Sequence, residues 1–453
     1  MKTINDYRNK KVLVLGLAKS GTNAAILLHK LGALVTVNDK KKFEDNVYAQ
    51  KLVDMGIRVI AGYHPLELLD EDFELMVKNP GISYDNPMVK KAMEKHIPII
   101  TEPELAYEVS EAPFTCITGT NGKTTTTTLI QMIVDQERKA GHAYKAGNIG
   151  IPVSEVVEKA TPQDDIIMEI SSFQLLGITK LHPHVAVLTN IYESHLDYHK
   201  TMENYINAKM NITKNQTPDD YFVINYDKDW WRDLAKRSKA KIVPFSRLDK
   251  SEEGAYEKDG VLYFRGEKVI DADEIVLPGQ HNIENCLAAI AVAKIFGKSN
   301  EAIKNVFTTF KGVKHRIQYI ETKDNRKIYN DSKATNIEAT TVALNSFKQP
   351  TVLIAGGLDR GFKFDELVKP MKNVKAIILY GETKNLMKDA AEKAGIKEIK
   401  LVDNLDQAVP EAWKASKPGD VILLSPAAAS WDQFDNFEQR GDRFIDDINK
   451  LGD

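Results

Sequence analysis

The stretch Phe114-Thr-Cys-Ile-Thr118 leads directly into Gly119-Thr-Asn-Gly-Lys-Thr124 and a threonine-rich helix start. An apolar strand, a glycine-rich turn and a helix in this order are typical of an α/β fold that binds ligands at the carboxyl ends of its strands. The glycines allow backbone N–H groups to approach a polyphosphate, Lys123 can neutralise it, and the Thr124 hydroxyl can bind Mg²⁺. Ile117 stands where the strict phosphate-loop pattern has its first glycine. The sequence therefore predicts a shortened phosphate-binding loop, with a tight turn and a chance lysine as the alternative.

Apolar runs alternate with helical segments on both sides of this turn. Residues 12–15, a glycine turn and residues 34–37 make a βαβ unit, which requires a parallel sheet. Asp259-Gly260, between residues 256–258 and residues 261–264, predicts a β-hairpin. We predict an α/β protein of three domains, each a mainly parallel doubly wound sheet. They are a Rossmann-like domain over 1–102, a P-loop ATPase-like domain with a small antiparallel excursion over 103–312, and a Rossmann-like domain over 313–453.

Composition excludes several classes of protein. The 453 residues carry 61 Lys and Arg against 64 Asp and Glu, a net charge of -3, which argues against nucleic acid as a partner. Only Cys116 and Cys286 are present, so neither a disulfide-rich secreted scaffold nor a cysteine-built zinc site is expected. No apolar run approaches the roughly 18 residues of a membrane span, and no signal-peptide pattern opens the chain. We expect a cytoplasmic protein without a membrane partner.

Acidic and histidine side chains after two later strands suggest a metal site. Glu169 ends the apolar run 166–168, where it either holds a metal that bridges phosphates or is a solvated strand end. His195 and His199 are spaced i, i+4, but Leu196 replaces the glutamate of a zinc-protease motif. Mg²⁺ bound by oxygen ligands beside a phosphate loop fits better than zinc. We predict a structural role for His199 and keep His195 as a candidate ligand.

Other segments stay open on residue chemistry alone. Gly16-x-Ala18-x-x-Gly21 followed by Asp39 resembles a dinucleotide fingerprint without its middle glycine, so a nicotinamide-dependent oxidoreductase is an alternative. A nucleotide switch with protein partners is another. Asn282 and Asn285 either cap a helix or reach an adenine edge. Lys209, in a helical stretch, would ordinarily be a solvated surface lysine.

Seven segments of the chain form a recognisable set, namely Gly119–Thr124, Glu169–Gln174, Asn190–Asp197, Gly279–Asn282, His315-Arg316, Asn330–Asn336 and Ser425–Gly441. Together they resemble the Mur ligases, ATP-dependent amide-forming enzymes of peptidoglycan precursor synthesis. The resemblance covers essentially the whole chain in order, and its closing stretch is similar to the branch that adds D-glutamate.

The resemblance implies three ligand sites. ATP would be held by Gly119, Thr120, Asn121, Gly122, Lys123, Thr124, Thr125, Asn282, Asn285, Arg316, Asp331 and Lys333. The UDP-linked substrate would be held by Leu17, Ala18, Lys19, Ser20, Asp39, Lys40, Asn79, Pro80, Gly81, Asn148, Ser171 and Ser172. D-Glutamate would be held by Thr335, Arg360, Ser430 and Phe437. Arg360 stands where some relatives carry lysine, so the charge is kept while the geometry differs.

The resemblance also implies a metal centre and a reaction. Two Mg²⁺ ions would lie among Thr124, Glu169, His195 and a carbamylated lysine that maps onto Lys209, which replaces the surface interpretation of that residue. Lys123, His195 and Lys209 would be the catalytic residues.

The implied reaction adds D-glutamate to UDP-N-acetylmuramoyl-L-alanine through an acyl phosphate and gives ADP and phosphate. A monomer whose third domain closes on the second is expected. A Mur ligase with another amino acid specificity or folylpolyglutamate synthetase is the nearest alternative.

Overall fold

The structure is a computed structural model that describes residues 1–2 and 5–451. Within these residues the protein contains three β-sheets. By its contacts the chain divides into two compact units. The first unit comprises residues 1–272 and 284–306, and the second comprises residues 273–283 and 307–453. Within the described part of the chain no helix has both the length and the apolar character that a membrane span needs.

The first sheet has the order β3-β2-β1-β4-β5 and all of its strand pairs are parallel. Residues 12–15 of β1 are fully buried because helices cover both faces of the sheet, as parallel sheets require. Its elements are β1 (Lys11–Leu15), α1 (Lys19–Lys30), β2 (Leu34–Asp39), α2 (Ala49–Asp54), β3 (Arg58–Ala61), a 3₁₀ helix (Leu66–Asp70), β4 (Leu75–Lys78), α3 (Pro87–Glu94), β5 (Ile99–Ile100) and α4 (Glu102–Val109).

The second sheet has the order β14-β13-β12-β11-β10-β9-β6-β8-β7. Strand β6 lies inside the sheet between β9 and β8 and is parallel to both, so the glycine turn that follows it opens at the carboxyl edge of these strands. The predicted hairpin is confirmed, since residues 255–258 pair antiparallel with residues 261–264. The strands are β6 (Phe114–Thr118), β7 (Ala143–Gly147), β8 (Asp165–Glu169), β9 (Val185–Leu188), β10 (Tyr221–Asn225), β11 (Lys241–Ser246), β12 (Ala255–Lys258), β13 (Val261–Phe264) and β14 (Glu267–Asp271).

Eight helices and two 3₁₀ turns accompany these nine strands among the described residues. The helices are α5 (Lys123–Val134), α6 (Val153–Val157), α7 (Ser172–Leu175), α8 (Leu196–His199), α9 (Met202–Met210), α10 (Asp229–Ala235), α11 (Gln280–Ile295) and α12 (Asn300–Thr309). Helix α4, which follows the first sheet, packs against α6. The 3₁₀ turns are Asn211–Thr213 and Ala272–Glu274.

The third sheet, in the second unit, has the order β15-β16-β20-β17-β18-β19, parallel except for the β15–β16 pair. Buried aliphatic side chains cover both of its faces. Its elements are β15 (Gln318–Lys323), β16 (Arg326–Asn330), α13 (Ile337–Asn345), β17 (Thr351–Gly356), 3₁₀ turns (Asp365–Leu367 and Pro370–Asn373), β18 (Val374–Tyr380), α14 (Lys384–Lys393), β19 (Glu398–Leu401), α15 (Leu405–Ala415), β20 (Val421–Leu424) and α16 (Phe437–Asn449). The predicted three-part α/β architecture is confirmed.

Candidate active site

The turn between β6 and α5 has the backbone of a phosphate-binding loop. Gly119 and Gly122 have φ angles of 150° and 81°, which side-chain-bearing residues rarely adopt. A Cβ atom on Gly119 would lie 1.9 Å from Thr189 Oγ1, and one on Gly122 would lie 2.2 Å from Asn285 Oδ1. Helix α5 begins directly after Gly122, so the N–H groups of its first turn and its partial positive charge face the turn. The turn is therefore suited to an anion.

Two lysines converge on this loop. Lys123 Nζ donates to the carbonyl oxygens of Gly119 (3.0 Å) and Thr120 (2.8 Å), and Lys209 Nζ donates to the Gly119 oxygen at 2.7 Å. Lys209 is only 2% exposed, so its interpretation as a solvated surface lysine is wrong. The pKa of Lys209 lies well below its usual value because of burial and the nearby charge of Lys123. Helix α9 turns this residue inward, which residue type alone does not reveal.

Glu169 lies beside the loop at the end of β8, only 2% exposed, so its alternative interpretation as a solvated strand end is wrong. Its Oε2 accepts a hydrogen bond from Thr124 Oγ1 at 2.7 Å, and its Oε1 accepts one from Asn148 Nδ2 at 2.8 Å. A carboxylate and a hydroxyl in contact are the hard oxygen donors that Mg²⁺ prefers. The described residues contain no cluster of three His, Cys, Asp or Glu side chains that could hold a metal ion. The two oxygen donors fit Mg²⁺.

His195 precedes α8 with φ 56° and ψ 32°, a left-handed conformation that is uncommon outside glycine. Burial, followed by the charges of Lys209 and Lys123, lowers the pKa of its imidazole. A neutral imidazole is the form that binds a metal. Its ring centroid lies 5.0 Å from that of Phe173.

His199 occupies the same aromatic cluster but has a different environment. It is 5% exposed, stacks on Phe173, and its Nε2 lies 3.0 Å from Ser172 Oγ. Burial lowers the pKa of His199 to about 4. These contacts give His199 a packing role.

A cavity of about 420 Å³ lies between the carboxyl ends of the first and second sheets, within the first unit. Eight of the residues predicted for the UDP-linked substrate line it, namely Ala18, Lys19, Ser20, Asn79, Pro80, Gly81, Asn148 and Ser171. Six further residues line it that were not predicted from the sequence, namely Glu102, Gly147, Gly150, Pro152, Phe173 and Gln174. Gly147, Gly150, Phe173 and Gln174 lie in the same turns as the predicted residues Asn148 and Ser171, so sequence proximity could have indicated them. Glu102 and Pro152 have no such signal.

Four predicted residues do not line this cavity. Leu17 is buried, and its N–H donates to Asp39 Oδ2 at 2.5 Å, so Asp39 supports the first glycine turn. Lys40 is exposed next to it. Ser172 faces His199.

A second cavity of about 290 Å³ lies in the second unit. All four residues predicted for D-glutamate line it, together with Ala429, Trp431, Asn436 and Glu438, which were missed. Asn436 caps α16 by accepting from the Gln439 N–H at 2.8 Å, which places Phe437 at the cavity edge. Trp431 is 64% exposed. The structure thus brings together Thr335, Arg360, Ser430 and Phe437.

The residues predicted for ATP occur in both units. Gly119–Thr125 and Asn285 belong to the first unit, where Asn285 Oδ1 accepts from Thr126 Oγ1 at 3.2 Å. Asn282, Arg316, Asp331 and Lys333 belong to the second unit. The Asn282 amide donates to the Pro278 carbonyl at 2.7 Å.

Asp331 is held in place from two sides, since Ser425 Oγ and the Ile317 N–H both donate to its carboxylate. Burial raises the pKa of Asp331 to about 7. The Lys333 ammonium lies 5.3 Å from the centre of the Phe437 ring. This contact joins the predicted ATP segment to the edge of the D-glutamate cavity within the second unit.

Three models of protein-family domains match the chain, one for each of its three sheets in the same order. Residues 10–101 match the model of the Mur ligase MurD-like N-terminal domain, residues 117–293 that of the Mur ligase middle domain, and residues 315–428 that of the Mur ligase glutamate ligase domain. These matches overturn the oxidoreductase alternative for the first glycine turn.

Full-length relatives include proteins named UDP-N-acetylmuramoylalanine--D-glutamate ligase. The one from Lacticaseibacillus paracasei is 62% identical over 100% of this chain and 98% of its own length, and the one from Enterococcus hirae is 56% identical over 99% and 98%. Among solved structures, the UDP-N-acetylmuramate-alanine ligase MurC of Thermotoga maritima has a TM-score of 0.59 at 19% identity, covering 97% of this chain and 99% of its own. The MurF ligase of Thermotoga maritima in complex with ADP has a TM-score of 0.57 at 17% identity, covering 99% and 97%. The chain belongs to the Mur ligase family.

Proposed function

We propose that the chain is an ATP-dependent ligase that adds D-glutamate to UDP-N-acetylmuramoyl-L-alanine, with release of ADP and phosphate, in peptidoglycan precursor synthesis. The observation that carries this proposal is the loop Gly119–Thr124, with Lys123 on its carbonyls and Thr124 bonded to buried Glu169. The relative from Lacticaseibacillus paracasei that bears the name of this activity is 62% identical over 100% of this chain.

The first step is phosphoryl transfer. An oxygen of the L-alanyl carboxylate attacks the γ-phosphorus of ATP, the bond to the β-phosphate oxygen breaks, and an acyl phosphate and ADP result. The two reacting groups are both anions, which repel by about 4 kcal/mol at ~4 Å in an effective dielectric of ~20. Lys123 and the N–H groups at the start of α5 offset this repulsion.

A divalent cation would be held by Thr124, Glu169, His195 and a carbamylated Lys209. When bound, Mg²⁺ supplies positive charge that stabilises the transferring phosphoryl group. The Lys209 ammonium first loses one proton, and the neutral amine then joins CO₂ with release of a second proton. The two losses together convert a cation into an anionic oxygen ligand. The low pKa of the buried Lys209 amine supports this proposal, because only a neutral amine can add to CO₂.

The cavity of about 420 Å³ would hold the UDP-linked substrate. The ammonium of Lys19 donates to the Gly150 carbonyl at the cavity wall, where it can also meet diphosphate. Asn148 lines the same cavity and contacts Glu169, so it can orient the L-alanyl end near the cation.

The second step forms the amide. The amine of D-glutamate attacks the acyl carbonyl carbon, loses a proton, and phosphate leaves from the tetrahedral intermediate. Arg360 can bind a carboxylate of the amino acid through two parallel hydrogen bonds, and the hydroxyls of Thr335 and Ser430 can donate to it. Water must be kept from the acyl phosphate, which otherwise hydrolyses.

We also propose domain boundaries near residues 102 and 312, a monomeric enzyme and a cytoplasmic location. The boundaries are supported by the three sheets and by the three separate family matches. The location follows from the use of ATP and a nucleotide-linked sugar.

The test supplies purified protein with ATP, Mg²⁺ and UDP-N-acetylmuramoyl-L-alanine, and compares phosphate release with D-glutamate, L-glutamate, L-lysine and diaminopimelate. Release that depends on D-glutamate supports the proposal. Release with another amino acid would identify a different Mur ligase specificity, and release without the UDP-linked substrate would favour the nucleotide-switch alternative.

A further inference from the structure

Lys78, the last residue of β4, is a buried lysine that none of the predicted sites uses. It is 1% exposed, and no carboxylate among the described residues forms an ion pair with it. Burial lowers the pKa of Lys78 to about 8, so the side chain stays largely protonated at neutral pH. A buried ammonium without an acidic partner is unfavourable unless oxygen dipoles compensate it.

The compensating oxygens come from the loop that follows β4. Lys78 Nζ lies 2.6 Å from the carbonyl oxygen of Ile82, 3.3 Å from that of Asn79 and 3.4 Å from that of Pro80. The ring of Tyr84 lies on another side, with its centre 4.7 Å from Nζ. One cation therefore gathers three carbonyl groups of residues 79–82.

Two of these three carbonyls receive a second donor, from a helix beside the second sheet. The Tyr198 hydroxyl lies 3.1 Å from the Ile82 oxygen, 3.4 Å from the Pro80 oxygen and 3.4 Å from Lys78 Nζ. Tyr198 belongs to α8, and its ring packs edge-on against Phe173 at 4.7 Å. Lys78 and Tyr198 thus fix the loop of the first sheet against the second sheet.

The other side of this loop faces the substrate cavity. Asn79, Pro80 and Gly81 line the cavity of about 420 Å³. The loop also packs on the first glycine turn, since a Cβ atom on Gly16 would lie 2.6 Å from Asn79 Cβ. Because its carbonyls are held inward by Lys78, the loop keeps one fixed surface towards the cavity.

We propose that Lys78 is a positioning residue for the UDP-linked substrate, acting through the three carbonyl groups of residues 79–82 without touching the substrate. The proposal rests on the function proposed above for the same cavity. It predicts that loss of the ammonium weakens substrate binding and leaves ATP binding and turnover at saturation nearly unchanged.

The test uses Lys78→Met in the full chain, because methionine keeps length and apolar volume while removing the donor. We expect the Kd for UDP-N-acetylmuramoyl-L-alanine alone, measured by calorimetry, and its KM in the assay to rise about 10-fold or more. The KM for ATP and kcat should change by no more than about 2-fold, since uniform substrate binding is what is lost. Lys90→Met, which removes an exposed lysine on α3, is the matched control and should leave all of these constants unchanged.

A purely structural role gives another pattern. A partly misfolded variant contains fewer active molecules, so kcat would fall while KM and Kd stayed constant, and this result would overturn the proposal. An unchanged Kd for the UDP-linked substrate would also overturn it. Calorimetry measures binding of the UDP-linked substrate without turnover, so it tests the role of Lys78 by itself. The absence of ligase activity in the unmodified protein would refute the proposed function and not the role of Lys78.

Tyr198→Phe provides a second variant if Lys78→Met does not fold. It removes only the hydroxyl that shares the carbonyls of Pro80 and Ile82. We expect the same Kd to rise about 3-fold with kcat retained. An unchanged Kd in Tyr198→Phe would then contradict the proposal.

Discussion

Replacing Arg360 by alanine should weaken binding of D-glutamate selectively. The Arg360 side chain is exposed at the cavity of about 290 Å³, beside Thr335 and Ser430. A hydrogen bond to a charged partner contributes about 1.5–3 kcal/mol, and about 1.4 kcal/mol corresponds to tenfold in affinity. The KM for D-glutamate should therefore rise about 10- to 100-fold, near the lower limit because solvent screens an exposed pair. The KM for ATP should stay within about 2-fold, since only the amino acid contact is removed.

The assay is steady-state phosphate release with D-glutamate varied at saturating ATP and UDP-linked substrate. Arg360→Lys keeps the charge but loses the two-pronged geometry, so its KM should lie between those of the wild type and Arg360→Ala. Lys363→Ala removes the same charge three residues further along, outside the cavity lining, and is the matched control. An unchanged KM for D-glutamate in Arg360→Ala, or an equal rise in Lys363→Ala, would refute the assigned role.

Three further changes test other parts of the account. Lys123→Ala should abolish phosphate release while calorimetry still detects binding of the UDP-linked substrate; equal loss of both would mean that the two sites are misplaced. Lys209→Ala should lower kcat by about 100-fold or more, and added formate, which supplies a small carboxylate, should restore part of the activity. Lys214→Ala changes an exposed neighbouring lysine and should have near-normal activity. A failure of formate to restore activity in Lys209→Ala would argue against a carbamate. Burial lowers the pKa of His199 from 6.5 to about 4. At pH values between these two, the imidazole of His199 is protonated in the unfolded chain and neutral in the folded chain. The free energy of unfolding should therefore fall by up to about 2 kcal/mol as the pH is lowered from about 7 to about 5. The thermal unfolding of His199→Gln should depend less on pH over this range. An identical pH dependence in the variant and the wild type would contradict the assignment.

The phosphate loop and its acidic neighbour could be predicted from the sequence because both lie at strand ends. Gly119–Thr124 and Glu169 each follow a short apolar run, and adjacent parallel strands bring their carboxyl ends to one edge. The order of the strands within the sheet was not predictable in this way, since it depends on long-range pairing.

Lys209 and Lys78 mark the limit of sequence reasoning. Lysine is usually exposed, and neither residue stands in a local pattern that indicates burial. Both are buried because packing directs them onto backbone carbonyls, of Gly119 for Lys209 and of Ile82 for Lys78. Family resemblance indicated a role for Lys209, whereas only the structure draws attention to Lys78.

The most direct measurement of the central claim follows oxygen from the substrate into phosphate. UDP-N-acetylmuramoyl-L-alanine labelled with ¹⁸O in both oxygens of its terminal carboxylate is converted with ATP, Mg²⁺ and D-glutamate, and the released phosphate is analysed by mass spectrometry. Attack of the carboxylate on the γ-phosphorus of ATP at the Gly119–Thr124 loop predicts one ¹⁸O atom in each phosphate. Unlabelled phosphate would contradict the acyl-phosphate reaction on which the account depends.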